Sequence, residues 1–450
     1  MFLRFVDRQE ELELLRGFAS QRRAGIAVVY GRRRVGKTRL LLELLKTTRG
    51  VYVFVPRGGR TSLLNAFSRS LGASLPAGAV FRDLESVFDY FSEAFRRGEI
   101  VVVDEFQNLS EVRGALTLLQ RYWDEEFSKT NAKLILSGSS IGMIERVSLR
   151  GDAPLYGRRS LTLEVAPLEP WALTQWFPAK TPEEVMQIYA VFGGTPAYLE
   201  HVDESLNAVE NAQRVILSKE GALYDEPEFL LMQEGRSPGT YMDIMGAISA
   251  GKQRISEISD YTKIPRENLP KYIASLTTMR LVAKETTQPL GKVSYTLADP
   301  FLHFWFRFVW TNRSLLEAGL SNTVRIQVER ELDAHLGRVF ERVALAYTTR
   351  LIREGKLKIN PNYVGRWVDQ NTEIDIVATA KQEELAYAFE VKWSTLKLEE
   401  AQSLLHKLED KALNIRAKHK VYGLIAKNIE NTEQLKREGY QVYTLKHIFS

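Results

Sequence analysis

Cysteine is absent from the 450 residues, which removes disulfides, cysteine nucleophiles and thiolate metal sites together. Such a chain suits a reducing cytoplasm. Long apolar runs are missing too: the densest, Phe301 to Trp310, is about half a membrane span and contains His303 and Arg307. At the start, Met1 to Leu12 turns charged after a few apolar residues and has no signal-peptide h-region. The expectation is a soluble cytoplasmic protein with no membrane partner. A strong charge of one sign is also lacking. With 61 Lys and Arg against 56 Asp and Glu, a formal +5 and a pI near 9.0, any basic surface for nucleic acid must be local.

What is present is an ordinary globular composition, 44% hydrophobic and 26% charged, in a chain long enough for about three domains. Its clearest feature is the apolar run Ile26 to Tyr30 leading straight into Gly31-Arg32-Arg33-Arg34-Val35-Gly36-Lys37-Thr38. The spacing of Gly31, Gly36, Lys37 and Thr38 is the phosphate-loop pattern. Glycines let the backbone wrap phosphate oxygens, so that consecutive N–H groups and the next helix N-terminus point at the anion. Lys37 would neutralise the β- and γ-phosphates of ATP, and the Thr38 hydroxyl would ligate Mg²⁺. Arg34, Val35 and Arg39 border the same cradle. Asp7, with Glu10 three residues on, predicts a capping box for a first helix that ends near Arg22 and Arg23.

Strand and helix patterns alternate after the loop. Ile100 to Val103 is a β-branched run that fits a strand buried on both faces of a parallel sheet, and Asp104 and Glu105 stand at its C-terminal end, where such sheets bind ligands. Asp104 is then the Mg²⁺ partner of Thr38, and Glu105 the residue that orients or deprotonates the attacking water. A further strand, Lys133 to Leu136, ends in Ser137-Gly138-Ser139-Ser140, either a γ-phosphate sensor or a plain strand-to-loop turn.

These segments, with Phe5 to Leu12, Pro154 to Arg159 and Gly193 to Leu199, resemble the archaeal ATPase family, a branch of the AAA+ and STAND-like P-loop ATPases, over roughly the first half of the chain. The resemblance implies an ASCE-type core with Glu105 catalytic and a turn containing Val6 and Arg8 beside the adenine. It also implies an arginine finger at Arg158 or Arg159, acting in the same or a neighbouring subunit of a homo-oligomer, and a helical lid whose Gly194-Thr195-Pro196 contacts the nucleotide.

Helical patterns at Gly239 to Ile248, Ile255 to Tyr261 and Arg266 to Leu276 are followed by two strand patterns, Leu281 to Lys284 and Ser294 to Leu297, the order of a winged helix. Between Tyr241 and Thr296 stand eight Lys or Arg against five acids. DNA is the expected partner, with Arg266, Asn268 and Lys271 at the N-terminal end of a recognition helix. The aromatic run from Phe301 to Trp310 is dense on all faces, which favours a buried position over base stacking.

Near the other end of the chain, Glu373-Ile374-Asp375-Ile376-Val377 alternates carboxylates and isoleucines, and Phe389-Glu390-Val391-Lys392-Trp393 alternates aromatic or apolar with charged residues. Charges in the middle of strands are costly unless they pair or bind an ion. The arrangement is similar to the PD-(D/E)xK nuclease superfamily. Asp375 and Glu390 would be Mg²⁺ ligands, joined by Glu341 from a helix over Leu332 to Arg350, with Lys392 positioning the water that attacks a phosphodiester. A solvated strand pair with a Glu–Lys ion pair is the competing reading. A turn is expected over 364–371.

The expected architecture is α/β throughout its catalytic parts. It comprises a parallel-sheet P-loop ASCE/AAA+ core at 1–165, a helical lid at 166–235, a winged helix at 236–298, an aromatic helical linker at 299–325, and a restriction-endonuclease-like α/β domain at 326–450.

Overall fold

The computed structural model of the chain describes residues 5–72, 80–139, 142, 157–233, 236–369, 372–380 and 384–450. Two compact units result: unit 1 is Met1–Leu168 with Thr195–Ala197, and unit 2 is Glu169–Gly194 with Tyr198–Ser450.

Unit 1 is built on strands β1 (Gly25–Tyr30), β2 (Gly50–Phe54), β3 (Ile100–Asp104), β4 (Lys133–Gly138) and β5 (Arg159–Glu164), in the order β2-β3-β4-β1-β5. Every pairing is parallel. The period of two along each strand splits the core into two layers. Val101 and Val103 of β3 and Ile26 and Val28 of β1 enter one layer, while Ile100, Val102, Ala27 and Val29 enter the other. Helices α1 (Gln9–Ser20) and α2 (Lys37–Leu45) cover the second layer with Leu12, Leu15, Leu40 and Leu44. Helices α3 (Arg60–Leu71), α4 (Leu84–Arg96) and α5 (Ala115–Glu125) cover the first with Phe67, Phe88 and Leu119. Because β3, β4 and β1 are neighbours, their C-terminal ends converge on one crevice, the usual ligand edge of such a sheet.

The start of α1 differs from expectation. Arg8 holds the N-cap position with no side-chain cap, and Asp7 precedes it at φ 49. Arg8 is instead anchored through Nη1 to Glu11 at 2.7 Å and through Nη2 to the carbonyls of Val35 and Ala166, which ties the turn to the phosphate loop. The helix stops at Ser20, short of Arg22 and Arg23.

In unit 2, α6 (Pro182–Phe192) opens on a capping box between Thr181 and Glu184. Beyond the short helices Ala208–Val215 and Glu226–Gln233 come α7 (Pro238–Ser249), α8 (Ile255–Thr262) and α9 (Leu269–Thr278). Helix α9 begins three residues later than its apolar pattern suggests. Pro270 lacks an N–H and fits only a first turn, so Arg266 falls in the preceding turn and Asn268 becomes the N-cap residue. Strands β6 (Val282–Thr286) and β8 (Val293–Leu297) pair antiparallel. Between them, β7 (Gln288–Pro289) leaves the hairpin and pairs parallel with β9 (Pro361–Val368).

The aromatic run forms α10 (Pro300–Phe308), capped by Asp299 accepting from the Phe301 amide at 2.9 Å. Phe301, Phe304, Trp305 and Phe308 are fully buried, and the Trp305 indole donates to the Tyr224 carbonyl at 2.6 Å. At roughly 1.5–3 kcal/mol for each buried large side chain, this helix is a core element and not a stacking surface. Helix α11 (Ser321–Arg353) runs unbroken for 33 residues, so the boundary expected at 325/326 falls inside one helix.

The last sheet contains β9, β10 (Glu373–Ala380), β11 (Leu385–Leu396), β12 (His419–Ile429) and β13 (Gln441–Thr444), in the order β13-β12-β11-β10-β9-β7. Strands β9, β10 and β11 are antiparallel, and β11, β12 and β13 parallel. Residues 364–368 are therefore strand and not the expected turn, their β-prone Val364, Trp367 and Val368 deciding. Helix α12 (Leu398–Lys411) packs on this sheet through Leu405 and Leu408.

Candidate functional site

The phosphate loop is shaped by its backbone. A Cβ on Gly31, at φ 154, would stand 2.2 Å from the Val165 carbonyl oxygen, so only glycine fits. Arg34 and Gly36 also take positive φ, 67 and 96, which turns the chain back on itself and presents Gly36 as the N-cap of α2. No side chain caps α2, so its first-turn N–H groups face the loop as an anion seat. Lys37 Nζ donates to the Gly31 and Arg32 carbonyls at 2.8 and 2.9 Å, folding the ammonium over the cradle. The Thr195–Ala197 turn belongs to this unit: Arg32 Nη2 donates to Thr195 Oγ1 at 2.8 Å, and a Cβ on Gly36 would meet Pro196 Cγ at 3.8 Å.

Beside the loop, Thr38 Oγ1 donates to Asp104 Oδ2 at 2.7 Å, and the Tyr52 hydroxyl donates to the same oxygen at 2.8 Å. Burial, then the charge of Asp104, pushes the Tyr52 phenol above its usual range, so it stays a donor. Glu105 takes a left-handed conformation, φ 54, uncommon for a carboxylate residue and a form of strain that clusters at functional sites. Its Oε2 accepts from Ser139 Oγ at 2.8 Å and from the Gln107 side chain. Adjacent hydroxyl and carboxylate oxygens on Thr38 and Asp104 are hard donors of the kind Mg²⁺ takes alongside substrate phosphates, and they fit it.

A second acidic cluster lies in unit 2. Asp375 on β10 accepts the Val391 amide at 2.8 Å, next to Glu390 on β11. Glu390 is buried at 6% exposure, and both its oxygens are held by ammonium groups: Oε1 by Lys392 at 2.7 Å and Oε2 by Lys411 at 3.0 Å. Burial, then the charge of Glu390, raises the Asp375 pKa, and burial, then Asp375, raises that of Glu341. Partial burial opposes the charge on Lys392, but its hydrogen bond to Glu390 and the surrounding acids outweigh this and raise its pKa. Among the described residues no group of three His, Asp or Glu could hold a metal ion. Glu390, expected as a Mg²⁺ ligand with Asp375 and Glu341, is committed to an ion-pair triad, so this cluster does not fit the metal.

A family model described as an ATPase domain predominantly from Archaea matches residues 5–202. An uncharacterized protein of Methanocaldococcus jannaschii is 30% identical over 436 residues, covering 95% of this chain and 97% of its own. The chain belongs to the archaeal ATPase family. A second model, described as Archaea bacterial proteins of unknown function, matches residues 305–404 of this archaeal ATPase. An uncharacterized ATP-binding protein of Pyrococcus abyssi is 26% identical over 228 residues, 43% of this chain and 68% of that protein. The solved Walker-type ATPase of Pyrococcus abyssi shares the fold, with a TM-score of 0.52 and 24% identity over 67% of this chain and 96% of that one.

Within this archaeal ATPase, Gly31, Val35, Gly36, Lys37, Thr38, Asp104, Glu105 and Pro196 gather at one crevice, and Arg39 lies on the first turn of α2. Arg158 does not. It precedes β5, whose Arg159 is paired with Ile26 at the far end of β1, and it forms a two-point ion pair with Asp124 at 2.7 and 2.9 Å. The length of β1, on the order of 15 Å, separates it from its own loop. Ser140 and Pro154 to Tyr156 lie outside the described residues. Arg266 and Lys271 are exposed, Arg266 within 3.3 Å of Asp260. Sequence reasoning missed Tyr52, Arg32 and Lys411. Only Tyr52 left a signal, since the parallel β2–β3 pairing implied by alternating strands and helices brings it beside the acidic strand end. Among the described residues no helix is long and apolar enough to cross a membrane.

Proposed function

We propose that unit 1 binds and hydrolyses ATP, and that this cycle switches unit 2 between states that bind nucleic acid differently. The observation that carries the first part is the meeting of Thr38, Asp104, Glu105 and Ser139 at the mouth of the glycine loop. Lys37 and the α2 N-terminus would bind the β- and γ-phosphates. Thr38 and Asp104 would hold Mg²⁺, which when bound supplies charge neutralisation for the phosphates. Glu105, fixed by Ser139 and Gln107, would take the proton of the attacking water. Val6 and Arg8 would border the adenine. Arg158, held by Asp124 away from its own loop, would serve the site of a neighbouring copy.

In unit 2, the order of α7, α8, α9 and the β6/β8 hairpin supports a winged-helix reading, with Arg266, Asn268 and Lys271 exposed or half-exposed for DNA. The wing tip β7 is engaged as a sheet strand, which leaves the helices as the contact face. The last sheet is PD-(D/E)xK-like in its Asp375, Glu390 and Lys392 positions. With Glu390 closed by two lysines, binding without cleavage is the reading favoured for it.

Replacing Glu105 by Gln tests the proposal: ATP binding should persist while turnover falls by roughly 10²-fold or more. Undiminished hydrolysis would show that another group activates the water. For unit 2, divalent-ion-dependent cleavage of duplex DNA that disappears in Glu390→Ala would overturn the non-cleaving reading.

A further inference from the structure

Unit 2 contains a cavity of about 400 Å³, within the size range of small-molecule sites. It is walled by the β6/β8 hairpin, α10, α11, β9 and β10. Its charges are graded along α11. Arg338 of α11 and Lys284 of β6 both line the cavity, reach solvent and form no ion pair among the described residues, while Glu285, next to Lys284, accepts from the Thr296 hydroxyl at 2.9 Å. Arg307 adds a guanidinium whose Nε and Nη2 hold Glu331, while Nη1 is buried with no hydrogen-bond partner. Such an orphan donor is costly unless something accepts from it. His303 and His335 line the cavity as well. Burial, then the charge of Arg342, holds His303 well below its ordinary pKa, and burial holds His335 at about 4, so both rings are neutral.

One helical turn beyond Arg338, the wall changes sign. Glu341 and Asp375 both line it there, and burial, then the charge of Asp375, raises the Glu341 pKa. The remaining arginines are otherwise engaged: Arg342 donates to the Leu297 and Ala298 carbonyls at 2.6 Å each, and Arg366 pairs with Glu373. A ligand suited to this lining is anionic at one end and rich in N–H or O–H donors at the other. Guanidinium forks match phosphate oxygens in geometry as well as charge.

We propose that this cavity binds a phosphate-bearing ligand of mononucleotide size, with Arg338 and Lys284 on the phosphate and Glu341 and Asp375 accepting from the sugar or base. The site is distinct from the glycine loop, and it requires neither ATP hydrolysis nor a metal. A nucleoside monophosphate and the terminal nucleotide of a phosphorylated strand share this chemistry.

The test uses the full chain carrying Lys37→Ala, to silence the loop, and follows binding of AMP, inorganic phosphate, and a short oligodeoxynucleotide with either a 5′-phosphate or a 5′-hydroxyl. Saturable binding is expected for AMP or for the 5′-phosphorylated strand, whichever is the natural source, and the 5′-hydroxyl strand should bind at least about tenfold more weakly than its phosphorylated twin. Adding Arg338→Ser and Lys284→Ser should weaken the binding at least about tenfold, and Arg338→Lys with Lys284→Arg should restore most of it. Both residues are exposed, so folding is preserved. Absence of saturable binding by every probe, or binding indifferent to the double substitution, would overturn the proposal. Either outcome leaves the reading of the glycine loop intact, because that reading is tested by turnover.

Discussion

The two acidic strand ends of this molecule use the same ingredients in opposite ways. In unit 1, Asp104 and Glu105 accept from neutral donors, Thr38, Tyr52, Ser139 and Gln107, while Lys37 is turned onto backbone carbonyls of its own loop. In unit 2, Glu390 takes two lysine ammonium groups directly. Neutral partners orient a carboxylate and leave its charge to act on a ligand, whereas ammonium partners spend that charge inside the protein. What separates a reactive site from a structural ion cluster is therefore less the presence of Asp, Glu and Lys than whether the backbone keeps the cations off the acids. The glycine loop does so in unit 1; the direct Lys392 and Lys411 contacts in unit 2 do the reverse.

The largest effect that would break the contrast is expected at Lys37. Changing it to Ala removes the loop ammonium assigned to the β- and γ-phosphates, and the Kd for ATP should rise by roughly 100-fold, read by calorimetry or a fluorescent analogue. Near-normal affinity would mean that the N–H groups of α2 suffice and that Lys37 is a structural clasp. Next in size is Glu390→Gln, which strips the counter-charge from two lysines. Because Lys392 and Lys411 side chains are 38% and 35% exposed, water screens much of the loss, and about 1–2 kcal/mol of stability should go, seen as a lower urea midpoint. Adding Lys411→Met should recover part of it. No change on the single substitution would show that the lysines do not depend on Glu390, and the comparison would fail.

The glycine loop, the acidic end of β3 and the placement of Asp375 beside Glu390 were legible because each is written in consecutive residues with a period the backbone fixes. What was not legible depends on which strands lie together. Arg158 reads as a finger through the family resemblance, and only the parallel register of β5 with β1 reveals that it lies at the opposite end of β1 from the loop. Lys411 sits nineteen residues after Lys392, at the end of α12, and no spacing rule brings that helix end over Glu390. The pairing of Gln288–Pro289 with Trp367–Val368 joins segments nearly eighty residues apart, so the hairpin looked like a free wing. The late start of α9 was readable and overlooked: Pro270 announces it.

The smallest effect, and the one that sharpens the comparison most, is at Asp375. Its pKa is raised, first by burial and then by the charge of Glu390, although the Val391 amide and the two lysines pull the other way. A raised native pKa means that the folded state binds the Asp375 proton more tightly than the unfolded chain does. That contribution to stability is complete below the unfolded carboxylate value and is lost as pH rises through the raised native one. At neutral pH the ionised Asp375 is therefore a burden that Asn would not carry, while Asn Oδ1 still accepts from Val391. Asp375→Asn should be more stable than the parent at pH 7, with the difference shrinking as pH falls into the carboxylate range, measured as urea midpoints at both pH values. A variant less stable at pH 7 would mean that Lys392 and Lys411 draw net stabilisation from Asp375 and that the cluster is a four-charge network. In that case the ionised acid is held in place by its cations, and unit 2 would differ from unit 1 by degree of pairing and not by the loss of available charge.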